Sequence, residues 1–155
     1  MTYEIVDGVL DGMRAGKTSS PISGHLSMQV VDFDRGKAVY EMQVGPELTN
    51  AMGVLQGGVA TVLADAAMAA ASMTMLDDEA VSKESVTTVQ LNSRYLRPVR
   101  AGEKLRGDAR VVRSGRQLVW AECDVTADDK AVGKFEATGI RVPFDPSQMV
   151  TPEKQ

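Results

Sequence analysis

The sequence has very few of the residue types that build many familiar functional sites. Its 155 residues include one cysteine, Cys123, and one histidine, His25, which exclude an intrachain disulfide framework and a Cys/His-rich zinc site. Cys123 alternates with apolar residues in a strand-like run, which is typical of a core position. His25 has no G-x-S-x-G serine to activate, so we interpret it as structural or exposed.

Basic residues are also outnumbered by acidic ones. Seventeen Lys and Arg against 21 Asp and Glu give a net charge of −4 and a pI near 5.0. Because nucleic-acid binders must neutralise phosphates, this composition argues against a nucleic-acid partner. The first twenty residues lack a basic segment before an apolar run, so we expect no signal peptide. With the single cysteine, this favours a cytoplasmic protein.

A long apolar run of the kind that crosses a membrane is present only at residues 57–76. This stretch is mostly alanine and methionine, carries Asp65 near its middle, and ends at Asp77-Asp78. A carboxylate at the bilayer centre is costly and alanine contributes little to insertion. The pattern therefore predicts a buried helix and no membrane partner.

Periodicity and turn signals indicate one domain over residues 1–155. They predict an amphipathic helix over residues 2–14, a loop over 16–24 and a polar tail over 143–155. Between these, the predicted order is two strands, one long helix and four strands: 25–33, 37–44, an alanine-rich helix around 60–71, 86–96, 104–112, 117–126 and 131–142. An acidic loop over 77–84 ends the helix. This order predicts an α+β fold, an antiparallel sheet packed on one long helix.

Asp65 is the residue that departs most clearly from its surroundings, since residues 59–75 contain no other charge. At 100° per residue it shares a helix face with Gly58, Thr61, Ala69 and Ser72. The sheet-facing side then carries Val59, Leu63, Ala66, Ala67 and Ala70. A surface helix normally has several charges, so this lone Asp indicates a task or a partner. A solvated Asp on an exposed face is the alternative.

Two further features have both a functional and a structural interpretation. Gly57 and Gly58 precede the helix, where unpaired N–H groups can stabilise an oxyanion; a flexible loop is the alternative. Residues 94–116 carry eight basic and two acidic side chains. They could bind the nucleotide end of coenzyme A, although a solvated outer sheet face accounts for at least half of them.

The pattern Asn50-x-x-Gly53-x-x-Gln56-Gly57-Gly58, followed by Leu63-x-Asp65, resembles the signature of hot-dog-fold acyl-CoA thioesterases of the phenylacetyl-CoA thioesterase type. The downstream segments 88–92 and 95–98, with Gly102, resemble the family's next strand and turn. The resemblance spans a core at about residues 23–142 and implies an antiparallel sheet wrapped around one long helix. It also implies hydrolysis of a small aromatic or medium-chain acyl-CoA, with coenzyme A as part of the substrate and no metal or redox cofactor.

The resemblance also implies roles for individual residues. Asp65 matches the carboxylate that activates water or attacks the thioester, and the Gly57 N–H matches the donor to the thioester oxygen. Asn50 and Thr88 match positions that orient water or substrate, and Gln56 stands where many members have His, so it can donate a hydrogen bond but cannot titrate. The substrate and coenzyme A contacts implied are Gly58, Gln90, Tyr95 and Arg113.

The family also commonly forms dimers that pair into tetramers. Because Gly57 and Asp65 are separated by eight residues, roughly 12 Å along a helix, we expect a homodimer in which two chains share each site. A non-catalytic acyl-CoA-binding hot-dog module is the second hypothesis, which the presence of Asp65 disfavours. A hydratase or dehydratase ranks last because the chain lacks a nearby histidine.

Overall fold

The computed structural model describes residues 20–81 and 83–148. Its helices are α1 (Pro21–His25), α2 (Gly57–Met73) and α3 (Asp78–Val81). Its strands are β1 (Gln29–Asp34), β2 (Lys37–Gln43), β3 (Glu84–Tyr95), β4 (Lys104–Ser114), β5 (Leu118–Ala127) and β6 (Lys130–Pro143). Short 3-10 turns lie at Pro46–Leu48 and Pro146–Gln148.

The strands form one antiparallel sheet in the order β1-β2-β4-β5-β6-β3, and α2 packs on one face of it. Strand β5 shows why the sheet has two different faces. Its side chains alternate strictly, with Val119, Ala121, Cys123, Val125 and Ala127 buried and the residues between them partly exposed. The buried set of the sheet faces α2, so the main core lies between the helix and the sheet.

Small residues let the helix lie close to the sheet. Alanines fill much of the buried side of α2, at positions 60, 64, 67, 70 and 71. On the sheet side, a Cβ placed on Gly107 of β4 would lie 3.3 Å from Cys123 Sγ and 3.6 Å from Leu63 Cγ. Because a larger side chain at Gly107 would meet these atoms, the sequence fixes a short distance between the two layers.

The structure confirms the α+β arrangement and all six predicted strands, with shifted ends. The hairpin at residues 34–37 is also confirmed, since Asp34 pairs with Lys37 and Gly36 has φ +71°. The helix predicted over residues 2–14 lies outside the described residues. Within them, no helix is long and apolar enough to span a bilayer.

Three details of the sequence prediction were wrong. The loop predicted over 16–24 contains α1, because Pro21 favours the first turn of a helix, and β1 therefore begins at Gln29. The acidic loop over 77–84 contains the short helix α3. Ser72, predicted to lie on the open face of the helix with Asp65, is 4% exposed. The helix ends within one turn of Ser72, next to the apolar cluster of Leu76, Val86 and Val119.

Candidate active site

The loop before α2 is held in a tight turn by Asn50. Its Oδ1 accepts hydrogen bonds from the backbone N–H groups of Met52 at 2.9 Å and Val54 at 3.4 Å. Gly53, with φ +70°, supplies the left-handed conformation that the turn requires. Gln56 follows in an extended conformation, with φ −61° and ψ 122°, and α2 starts at Gly57. The loop thus delivers the chain to a helix start whose first N–H groups have no intrahelical acceptor.

One stripe of α2 faces β3 and contains Gly57, Thr61 and Asp65, four residues apart. Tyr95 Oη donates to Gly57 O at 2.9 Å, and Thr61 Oγ1 lies 2.7 Å from Tyr95 Oη. At the other end of the stripe, Thr88 Oγ1 donates to Asp65 Oδ1 at 2.8 Å. Three of the residues that the resemblance assigns to catalysis, Gly57, Asp65 and Thr88, therefore lie along the contact between α2 and β3, while Asn50 and Gln56 lie in the loop before α2.

A β-bulge in β3 brings these strand side chains to the same face. Thr88 pairs with Gly139 and Gln90 pairs with Thr138, so Val89 is an extra residue between two regular pairs. Before the bulge, Val86 and Thr88 point toward α2; after it, Ser93 and Tyr95 do. An uninterrupted alternation would have turned Tyr95 to the opposite face from Thr88.

Asp65 is partly buried and has one oxygen engaged. The hydroxyl of Thr88 fixes the orientation of Asp65 Oδ1, and the second oxygen makes no side-chain hydrogen bond or ion pair with a described residue. A carboxylate held in this way can take a proton from water or attack an electrophilic carbon. Within the described ranges, no cluster of three or more His, Cys, Asp or Glu side chains could hold a metal ion.

An apolar pocket of about 340 Å³ opens beside the start of α2. Its walls include Leu55, Ala60, Leu96, Val99 and Val132, and both Gly57 and Tyr95 line it. Arg97 closes one side, where its guanidinium donates to Glu103 Oε1 and to Ala127 O, both at 2.8 Å. The pocket therefore combines aliphatic walls with the Arg97 and Tyr95 side chains and with the helix start at its edge.

The remaining predicted residues lie in two places. Gln56 and Gly58 are exposed beside Gly57, and the Gln56 side chain makes no capping hydrogen bond. Gln90 and Arg113 instead line a second pocket, of about 330 Å³, together with Trp120 on the outer face of the sheet. Arg113 stacks on Trp120, with its Cζ 5.5 Å from the ring centroid. Within one chain, the sheet separates this outer groove from Asp65.

Four of the eight basic side chains in residues 94–116, which we call the basic stretch, form ion pairs with carboxylates. Arg97 pairs with Glu103, Arg110 pairs with Glu122 and Asp124, and Lys104 and Arg106 share Glu41. Hydrogen bonds from Lys104 and Arg106 hold the pKa of the Glu41 carboxyl below its usual value. Arg94, Arg100, Arg113 and Arg116 form no ion pair with any described residue. The expectation that at least half of the stretch belongs to a solvated sheet face agrees with this arrangement.

Cys123 is 1% exposed, and burial raises the pKa of its thiol to about 12. Such a thiol stays protonated at neutral pH and is no nucleophile. The sequence interpretation of Cys123 as a core residue is confirmed. His25 is exposed at the last position of α1.

Sequence reasoning missed two members of the α2–β3 contact. Thr61 shares the predicted helix face of Asp65 but has no predicted role, although it lies four residues from both Gly57 and Asp65. Ser93, whose Oγ lies 3.3 Å from Thr61 Oγ1, was not singled out. Only the bulge at Val89 brings Ser93 to this face.

The chain matches the family model described as "Thioesterase superfamily" over residues 52–134. It is 30% identical over 131 residues to acyl-coenzyme A thioesterase 13 of Homo sapiens, covering 84% of this chain and 87% of that protein. A solved structure described as a putative thioesterase, a phenylacetic acid degradation-related protein from Ralstonia eutropha, is 29% identical with a TM-score of 0.73 and coverages of 84% and 97%. The E. coli PaaI protein from the phenylacetic acid degradation operon shares the fold, with a TM-score of 0.76, 22% identity and coverages of 92% and 96%.

The matched segment begins in the loop that Asn50 holds and ends in β6, so it contains α2, β3 and the contact between them. Fold, motif and site geometry lead to the same assignment. The chain belongs to the thioesterase superfamily, as a thioester hydrolase with the hot-dog fold.

Proposed function

We propose that this protein hydrolyses an acyl-CoA thioester to the free acid and coenzyme A. The observation that carries the proposal is Asp65, the one charge on α2, held by the Thr88 hydroxyl at 2.8 Å. The name of the human relative, acyl-coenzyme A thioesterase 13, supports acyl-CoA as the substrate class.

The chemistry assigns a role to each group. The free oxygen of Asp65 either takes a proton from water, whose oxygen attacks the thioester carbonyl carbon, or attacks that carbon itself. The N–H of Gly57 stabilises the developing oxyanion, and the exposed amide of Gln56 adds a second donor. Asn50 keeps its NH₂ group for water or substrate, because its Oδ1 holds the loop. If Asp65 acts as the base, it passes the proton of water to the coenzyme A thiolate as the carbon–sulfur bond breaks. If it acts as the nucleophile, the thiolate leaves and a mixed anhydride joins Asp65 to the acyl group; water then cleaves the anhydride to the free acid and the Asp65 carboxylate, and a proton of that water goes to the thiolate.

The pocket beside Gly57 supports a small aromatic or medium-chain acyl group. Its volume of about 340 Å³ is at the low end of ligand pockets, and aliphatic side chains form much of its wall. A single polar contact to Gly57 would place the thioester at the pocket mouth, with the acyl group inside.

The site is proposed to be completed by a second copy of the chain. Gly57 and Asp65 are eight residues apart on α2, roughly 12 Å along its axis, so one helix cannot bring both to one carbonyl. Among the described strands, β3 lies at a sheet edge beside β6, and it exposes Val89 (59%) and Tyr95 (49%) beside the site. Pairing of two β3 edges would place two α2 helices side by side in opposite directions.

The outer groove supports a larger assembly. Coenzyme A carries phosphates, and Arg113 with Gln90 offers an unpaired cation and an amide in that groove. Since the sheet separates them from Asp65 of the same chain, their ligand would extend from the site of another subunit, as in a homotetramer. The cytoplasmic location stays a prediction.

A panel of acyl-CoAs in a thiol-release assay tests the proposed function. We expect release of free coenzyme A, with small aromatic or medium-chain substrates preferred over long-chain ones. Asp65→Asn, purified identically, controls for contaminating hydrolases. Binding of acyl-CoA by calorimetry without any thiol release would instead identify a non-catalytic binding module.

A further inference from the structure

Three hydroxyl groups connect the start of α2 to β3. Tyr95 Oη lies 2.9 Å from Gly57 O and 2.7 Å from Thr61 Oγ1, and Thr61 Oγ1 lies 3.3 Å from Ser93 Oγ. We call Tyr95, Thr61 and Ser93 the hydroxyl chain. It lies at the opposite end of the α2 stripe from the Asp65–Thr88 pair.

The hydroxyl chain meets the backbone at one peptide carbonyl. Both Tyr95 Oη and Thr61 Oγ1 lie within hydrogen-bond distance of Gly57 O, at 2.9 Å and 3.4 Å. Each hydroxyl has one hydrogen to donate. When Tyr95 donates to Gly57 O, Thr61 can donate to Tyr95; when Thr61 donates to Gly57 O, Tyr95 can donate to Thr61. In both arrangements the chain ends at the carbonyl of Gly57.

That carbonyl belongs to the peptide group whose N–H is on Gly58. A donor on the oxygen fixes the plane of this peptide and polarises its N–H. The Tyr95 ring adds a steric constraint, because a Cβ on Gly57 would lie 3.1 Å from Tyr95 Cζ. Phe135 packs edge-on against the same ring, with centroids 5.8 Å apart. Gly57, which by itself has wide backbone freedom, is thus held between its helix and this ring.

We propose that Tyr95 is a positioning residue that sets the orientation of the Gly57–Gly58 backbone for thioester hydrolysis, with Thr61 setting the hydroxyl of Tyr95. The inference rests on the proposed function and differs from the expectation that Tyr95 contacts coenzyme A. A coenzyme A contact acts on substrate binding. A positioning residue acts on the transition state. By holding the Gly57–Gly58 peptide, Tyr95 fixes the backbone conformation of Gly57, whose own N–H must lie about 3 Å from the oxyanion.

The kinetic test uses Tyr95→Phe, which removes the hydroxyl and keeps the ring. We expect kcat to fall about tenfold while KM for acyl-CoA changes less than about twofold. Thr61→Val should lower kcat in the same way, and Thr61→Ser, which keeps the hydroxyl, should retain more activity than Thr61→Val. The double variant should lose no more than Tyr95→Phe alone, because both changes break one chain. Tyr40→Phe, at a buried tyrosine of β2, is the matched control.

A second measurement is independent of turnover. In spectra of protein labelled with ¹⁵N-glycine, Tyr95→Phe and Thr61→Val should both shift the amide signals of Gly57 and Gly58, whereas Tyr40→Phe should leave them in place. A rise in KM with kcat kept would identify a coenzyme A contact and overturn the proposal. Unmoved Gly57 and Gly58 signals in Tyr95→Phe would also overturn it, including when the wild type hydrolyses nothing in the panel and the proposed function itself fails.

Discussion

At the scale of single residues, Asp65 carries the clearest prediction. Asp65→Asn is nearly isosteric and can still accept the hydrogen bond of Thr88, so the fold and acyl-CoA binding should be kept. Loss of the base or nucleophile should lower kcat by on the order of 10² to 10⁴. Steady-state kinetics and calorimetry measure the two effects. Asp32→Asn, at an exposed position of β1, is the control. Turnover of Asp65→Asn within a few-fold of wild type would remove Asp65 from the mechanism.

Arg113 allows the basic stretch to be tested separately from the acyl pocket. Because Arg113 has no ion pair with a described residue, Arg113→Ala should raise KM for acyl-CoA more than KM for the same acyl group on a short uncharged thiol. The difference should grow at low salt, where charges are less screened. Arg110→Ala, which removes an arginine paired with Glu122 and Asp124, is the matched comparison. Equal changes for both substrates would assign Arg113 to structure.

Asp65 can be identified from the sequence because it is an isolated charge in an alanine-rich helical segment. Gly57 can be placed at a helix start because the Gly57-Gly58 pair comes directly before that segment. The contact of Thr61 with Ser93 and Tyr95 could not be predicted in the same way. It depends on the extra residue at Val89, which reverses the alternation of β3, and no local pattern in residues 86–96 marks a bulge.

At the scale of elements, the connection between β3 and β4 sets one wall of the apolar pocket. Glu103 holds this connection, accepting hydrogen bonds from the Arg97 side chain at 2.8 Å and the Arg100 N–H at 2.6 Å. These two bonds keep the pKa of the Glu103 carboxyl below its usual value, and the bond from Arg97 has the larger effect. Pro98 and Gly102 predict a turn here from the sequence. No turn motif predicts that the side chains of Arg97 and Glu103, on either side of the turn, form an ion pair.

The lowered pKa of Glu103 predicts a pH dependence of stability. The unfolded chain binds the proton more tightly, so the stabilisation is fully present above the usual pKa of a glutamate and is lost as the pH falls from there through the lower folded pKa. Glu103→Gln should lower the free energy of unfolding by about 1–2 kcal/mol at pH 7. It should also flatten the loss of stability in that pH range.

Urea unfolding at a series of pH values measures this dependence. Glu136→Gln, which changes an exposed glutamate on β6, is the control. An unchanged pH profile in Glu103→Gln would show that the carboxylate does not hold the connection. Any accompanying rise in KM for acyl-CoA would link this connection to the pocket wall formed by Leu96 and Val99.

At the scale of the whole molecule, one chain presents two half-sites on the same helix. Gly57 lies beside the apolar pocket and Asp65 lies roughly 12 Å further along α2. This separation can be predicted from the sequence, because it follows from the rise per residue of a helix. The exposed edge at β3 cannot be predicted in this way, because it depends on the order of the strands in the sheet, in which β3 lies beyond β6.

Mixing two inactive variants tests whether each site combines Gly57 of one chain with Asp65 of its partner. One variant is Asp65→Asn. The other is Gly57→Pro, which removes the N–H at the first helical position, where the extended Gln56 suits a following proline. The new Cβ lies about 3.1 Å from the half-exposed Tyr95 ring, which must move by a few tenths of an ångström, so circular dichroism and size measurements should first confirm folding and dimerisation of both variants.

The two variants are then unfolded and refolded together in equal amounts. Random pairing makes about half of the dimers mixed, and each mixed dimer has one site with both Gly57 and Asp65 intact. About a quarter of wild-type activity should therefore return, while variants refolded separately and then combined without exchange should stay inactive. If the sites lay within single chains, every chain in the mixture would still carry a defect, and the co-refolded sample would be as inactive as its parents. Recovery of activity thus depends on two helices meeting across the β3 edges.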